Sequence, residues 1–226
     1  MSKGLEEIEK IIEYSFDDKN ILREALTHSS KGDSRTNGTR MDYERLEFIG
    51  DAMLDAIIGV ILFRRMPSAT EGELTKLRAQ IVCEESLNRI GQKIGVGSYI
   101  ILGDGEEKMS GREKPSVIAD VVEAIIGGIY LDSGYDEVWR FVEGAFSDLV
   151  EEAISGKLFR DYKTKLQEIA HKNKWNIEYS TRSKGPDHDK TFFVQLFIDG
   201  KVSGEGIGKS KKEAEQKAAE SFLRKA

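Results

Sequence analysis

The sequence predicts two domains of different class, an all-helical domain followed by a small α+β domain of order αβββα. Three observations carry that reading. Apolar residues recur at helical spacing over the first two thirds of the 226 residues and then at the two-residue period of half-buried strands. Charge divides at the same place: residues 157–226 hold 16 Lys+Arg against 10 Asp+Glu, net +6, leaving 18 against 30, net -12, for the remainder. Ser155-Gly156-Lys157 supplies a hinge between them. The expected division is therefore 1–155, a linker 156–160, and 161–226.

In the first domain, residues 5–14 form an amphipathic helix and 19–26 a second, while 31–39, rich in Gly, Ser, Thr and Asn, reads as a loop. A long helix is expected over 43–65, ending where Met66 precedes Pro67, because proline disfavours helix in the residue before it. Helices over 73–82 and 85–94, a glycine-punctuated stretch over 95–111, and helices over 116–131 and 137–154 complete the domain. In the second, a helix over 162–172 precedes strands over 176–182, 191–198 and 201–206. Asp199-Gly200 marks the hairpin between the last two, and a helix over 211–224 closes the fold.

Composition narrows the chemistry. With 39% apolar and 33% charged residues the chain reads as a globular protein. No run approaches the roughly 20 uncharged apolar residues that cross a bilayer. MSKGLEEIEKIIEYSF is acidic and amphipathic rather than a secretory signal, so a cytoplasmic protein without a membrane partner is expected. Cys83 is the sole cysteine and the three histidines are scattered, which excludes thiolate zinc clusters. Any metal must be held by oxygen, which favours magnesium or manganese.

Two acidic clusters fall on apolar helices. In ERLEFIGDAMLD (44–55), Glu44, Glu47, Asp51 and Asp55 share one stripe, where like charges repel. Past Asp51 the segment is apolar nearly all round, which places Asp51 and Asp55 near or inside a core. In SVIADVVEAIIGGIYLD (116–132), Asp120 and Glu123 repeat the pattern. A single acidic pair on a helix is commonly ion-paired or solvent-facing, but few bases lie near these. An uncompensated buried carboxylate costs several kcal/mol or takes up a proton. Divalent cations answer the problem, and two of them about 4 Å apart can activate water and stabilise attacking and leaving oxygens on a phosphodiester. Gly50, Gly127 and Gly128 are expected to permit close helix approach, and His28 to be a packing residue.

The basic end offers a different site. In GIGKSKKEAEQKAAESFL (206–223), Ser210 and Glu213 have the spacing of a capping box, which puts Lys211 and Lys212 in the first helical turn. Cations there oppose the helix dipole by a few tenths of a kcal/mol, roughly 0.3 or more each, but become favourable once a phosphate binds.

These segments resemble the ribonuclease III family. ERLEFIGDAMLD matches its signature, and ALTHSS (25–30), TEGELTKLRA (70–79) and KPSVIADVVEAIIGGIYLDSG (114–134) match further segments in order. KTKLQEIAHK (163–172), GPDHDKTF (185–192) and GIGKSKKEAEQKAA (206–219) resemble a double-stranded RNA-binding domain. The resemblance implies a Mg2+-dependent endoribonuclease for double-stranded RNA, with Mn2+ as a substitute, that leaves 5'-phosphate and 3'-hydroxyl ends with two-nucleotide 3' overhangs. It implies Glu47, Asp51, Asp120 and Glu123 as catalytic acids, with Glu47, Asp120 and Glu123 as metal ligands and Glu44 and Glu71 as auxiliaries. It further implies a homodimer with Phe48 at the interface, although Phe48 could equally be internal core. Thr164, Gln167, Glu168 and His188 would contact the minor groove, and Lys209, Lys211 and Lys212 phosphate. Processing of ribosomal and messenger precursors follows as an expectation. The rival reading is a double-stranded RNA-binding protein that does not cut.

Overall fold

In a computed structural model, residues 2–31, 35–36, 39–158, 162–186 and 190–224 are described. The chain divides into two compact units, Met1–Leu158 and Phe159–Ala226.

The first unit holds helices α1 (Ser2–Ile11), α2 (Lys19–Ala25), α3 (Glu44–Arg65), α4 (Glu71–Ile81), α5 (Glu84–Ile94), α6 (Asp104–Lys108), α7 (Pro115–Ser133) and α8 (Tyr135–Ile154). The first helix stops at Ile11, short of the expected end, because Glu13 takes a left-handed φ of 54° and turns the chain. The segment read as a loop contains a minimal hairpin, β1 (Arg35–Thr36) with β2 (Thr39–Arg40). The fourth helix begins two residues earlier than expected. Thr70 caps it through a full capping box, its hydroxyl accepting from the Glu73 amide and the Glu73 carboxylate accepting from the Thr70 amide at 2.7 Å.

Helix α7 is the axis of this unit. Proline at its first position pre-sets the helical φ, and Val117, Ile118, Val121, Val122, Ile125, Ile126 and Ile129 are all buried. It packs most extensively on α3, whose Leu46, Leu54, Ile57, Ile58, Ile61 and Leu62 face it or the surrounding core. The opposite face of α3 is not covered: Phe48 is 75% and Phe63 70% exposed.

The second unit holds α9 (Tyr162–Asn173), β3 (Ile177–Lys184), β4 (Thr191–Ile198), β5 (Lys201–Gly208) and α10 (Lys211–Leu223). The strands form one antiparallel sheet in sequence order. Asp199 and Gly200, at φ 49° and 76°, make the tight turn that the right-handed strand twist favours. Val194, Leu196 and Ile198 pack with Leu166, Ala214, Ala218 and Ala219, so both helices cover one face. Trp175 is a packing residue, edge-on to Phe222 with centroids 6.0 Å apart.

Candidate metal centre and nucleic-acid interface

The acid site is built at the crossing of α3 and α7. Two glycines set the distance: a Cβ on Gly50 would stand 1.8 Å from the Glu123 carbonyl oxygen, and one on Gly127 2.1 Å from that of Leu46. Only at such a separation do short carboxylate side chains from the two helices meet. Glu47, Asp120 and Glu123 each offer an oxygen within 4.8 Å of the others, and all three are half-buried.

Their electrostatics record the crowding. Burial first, then the charges of Asp120, Glu44 and Asp51, push the Glu47 carboxyl up to about 7. Burial, then Asp51, Glu47, Asp120 and Asp55, push Glu123 up to about 8. Burial also raises Asp120, opposed by a hydrogen bond from the Tyr43 hydroxyl to its Oδ2 at 3.1 Å. Three oxygen donors that disfavour their own charge fit a hard divalent cation, which would supply the missing positive charge.

The other expected acids fall outside that group of three. Asp51 is exposed rather than near the core, although its charge reaches both glutamates. Asp55 is half-exposed and faces a base that linear spacing conceals, Arg78 of α4, at 3.6 Å. Glu44 is exposed in the first turn of α3. Glu71 opens α4, exposed, and accepts from the Thr75 hydroxyl at 3.0 Å.

On the second unit, Thr164, Gln167 and Glu168 are exposed on one side of α9. At the start of α10, Lys209, Lys211 and Lys212 are exposed. Ser210 accepts from the Glu213 amide at 3.1 Å, but the Glu213 carboxylate accepts from the amide of Lys209 at 2.7 Å, one residue before the cap. Lys217 Nζ holds the other oxygen of Glu213 at 2.6 Å. His188 lies outside the described residues.

The model for Ribonuclease-III-like proteins matches residues 18–149, and that for the double-stranded RNA binding motif matches 162–226. Ribonuclease 3 of Caldanaerobacter subterraneus subsp. tengcongensis is 44% identical over 220 residues, 96% of each chain. The chain belongs to the ribonuclease III family.

Ribonuclease 3 of Clostridium kluyveri is 43% identical over 222 residues, 97% of this chain and 90% of its own. Among solved structures, the nuclease domain of ribonuclease III from Campylobacter jejuni superposes with a TM-score of 0.57 at 40% identity, over 66% of this chain and 97% of that one. This ribonuclease III is thus an endoribonuclease for double-stranded RNA, with a helical nuclease domain and an RNA-binding domain. Family membership implies use of a divalent metal, and the acid cluster is where this chain has the oxygen donors for one. Among the described residues, no helix is long and apolar enough to cross a membrane.

Sequence reasoning does not reach Tyr43. It sits at the N-cap of α3, makes no side-chain cap bond there, and spends its hydroxyl on Asp120. The signal available is the residue type: Ser, Thr, Asp or Asn is preferred at a helix N-cap, and tyrosine in that place suggests another duty.

Proposed function

We propose that this ribonuclease III hydrolyses phosphodiester bonds of double-stranded RNA with Mg2+ held by Glu47, Asp120 and Glu123, and that Mn2+ can replace it. The observation that carries the reading is the convergence of three carboxylates from two helices within 4.8 Å, with Glu47 and Glu123 raised to about 7 and about 8. Such a group gains from a cation what it loses by crowding. When bound, the ion supplies Lewis-acid polarisation of the phosphate and lowers the pKa of water. The three carboxylates fix where that charge sits. Asp51, exposed beside them, completes the catalytic set, and Glu44 and Glu71 extend the acidic surface as auxiliaries.

The second domain supplies affinity. Thr164, Gln167 and Glu168, with His188, contact the minor groove through 2'-hydroxyls, while Lys209, Lys211 and Lys212 hold phosphate at the positive end of α10. Recognition of this kind reads A-form shape rather than base sequence. We further propose a homodimer through the uncovered face of α3. Phe48, 75% exposed at the level of the acids, favours it, and the C. jejuni nuclease domain is a relative with a region involved in dimer formation. Each protomer would cut one strand, leaving 5'-phosphate and 3'-hydroxyl ends with two-nucleotide 3' overhangs, in cytoplasmic processing of ribosomal and messenger precursors.

The test is a long RNA duplex incubated with Mg2+, its products sized and their ends identified. Glu123→Gln should keep duplex binding and reduce cleavage by orders of magnitude. Cutting at the wild-type rate would remove the acid cluster from the chemistry.

A further inference from the structure

Tyr43 joins the two halves of the acid cluster. Its carbonyl accepts from the Glu47 amide at 2.8 Å, its hydroxyl donates to Asp120 Oδ2 at 3.1 Å, and its own amide donates to the Thr27 carbonyl at 2.9 Å. The residue is only 4% exposed, and its ring meets that of His28 edge-on, centroids 5.6 Å apart at 71°. The neighbouring chain is itself pinned, since the His28 amide donates to the Ile101 carbonyl at 3.0 Å and the Ile101 amide to that of Leu26 at 2.8 Å. Backbone, ring and hydroxyl are therefore all fixed, and the hydroxyl has one direction in which to point.

The cluster requires such a group. Three carboxylates whose oxygens lie within 4.8 Å repel one another, and a free aspartate would rotate away before a cation arrived. A lysine or arginine in place of Tyr43 would quench the charge and compete with the cation. A buried phenol offers a hydrogen bond without a net charge.

We infer that Tyr43 is a positioning residue for the cation site, its hydroxyl holding Asp120 in the orientation that lets it share an ion with Glu47 and Glu123. This rests on the proposed reading of those acids as the cation site. Partners that orient a ligand in this way typically contribute about 10–100-fold to metal affinity or activity.

Tyr43→Phe removes the hydroxyl and keeps the ring against His28. Mn2+ binding to the full-length protein without RNA, followed by calorimetry, should weaken about tenfold or more. Duplex affinity measured without divalent cation should match that of the parent. In cleavage assays the Mg2+ concentration for half-maximal rate should rise while KM for the duplex holds. Asp120→Asn, titrated in parallel, separates the two claims. If Asp120→Asn loses Mn2+ and Tyr43→Phe binds it like the parent, the role of Tyr43 is overturned and the cation site stands. If neither variant changes Mn2+ affinity, both fall. A lowered melting temperature in Tyr43→Phe with unchanged Mn2+ affinity would make the residue merely structural and would equally overturn the inference.

Discussion

Gly50 of α3 lies against the backbone of Glu123 on α7, with the place of a Cβ only 1.8 Å from the glutamate carbonyl oxygen. The partner atom is main chain in the middle of a buried helix, so neither side can yield. Gly50→Ala should destabilise the domain by about 1–3 kcal/mol or more, with loss of cleavage, because the separated helices no longer bring their acids together. Gly59→Ala, in the same helix, meets nothing nearer than the Arg78 side chain at 3.9 Å. It should stabilise by about 0.5–1 kcal/mol. Thermal unfolding of the pair checks both signs.

The raised carboxylates predict a pH dependence. For Glu47 and Glu123 the folded values, about 7 and about 8, lie above the ordinary 4.5, so between those limits the folded chain binds more protons than the unfolded one. Stability of the metal-free protein therefore falls as pH rises from about 4.5 to about 8. Glu123→Gln, which carries no proton to lose, should show a shallower fall in Tm. Cation binding at pH 7 must also expel protons, so its calorimetric enthalpy should change with the ionisation enthalpy of the buffer. Equal enthalpies in all buffers would mean the acids are already ionised.

At the other end of the chain, Lys211→Ala and Lys212→Ala should weaken binding to every duplex alike and reduce the slope of log affinity against log salt by about 1 per lost phosphate contact. Filter binding across a salt series measures it. A slope that does not move would place the phosphate clamp elsewhere.

Phe48→Glu should lower the sedimentation mass toward that of one chain and leave the helical circular dichroism signal intact, since a side chain 75% exposed contributes little to its own domain's core. A monomeric parent protein, or a dimeric variant, would remove Phe48 from any interface.

Much of this molecule is legible from its residues because period and charge change together near residue 157. The strands at 191–198 and the turn at Asp199-Gly200 stand where alternation and turn chemistry put them. What stayed hidden is mostly long-range. Arg78 lies 23 positions beyond Asp55, so no local pattern announces the ion pair, and Asp51 looked core-bound because the apolar stretch around it contains the exposed Phe48 and Phe63 face. One miss was local. The pattern Thr-x-x-Glu at 70–73 forms a complete capping box, whereas Ser-x-x-Glu at 210–213 diverts its glutamate toward Lys209 and Lys217. The two segments share one spacing, so spacing alone does not tell these outcomes apart.

The ion pair of Asp55 with Arg78 makes the acidic stripe of α3 polar in the directional sense. Glu44, Glu47 and Asp51 carry negative charge along the stripe, and at Asp55 the Arg78 side chain of α4 adds a positive one. A diffusing cation, or a phosphate approaching the surface, therefore meets a field with a boundary rather than a uniform strip. Asp55 follows Asp51 by four residues, so that boundary stands just over one helical turn away. It gives this surface of the helix an electrostatic edge, next to the acids proposed to hold the cation.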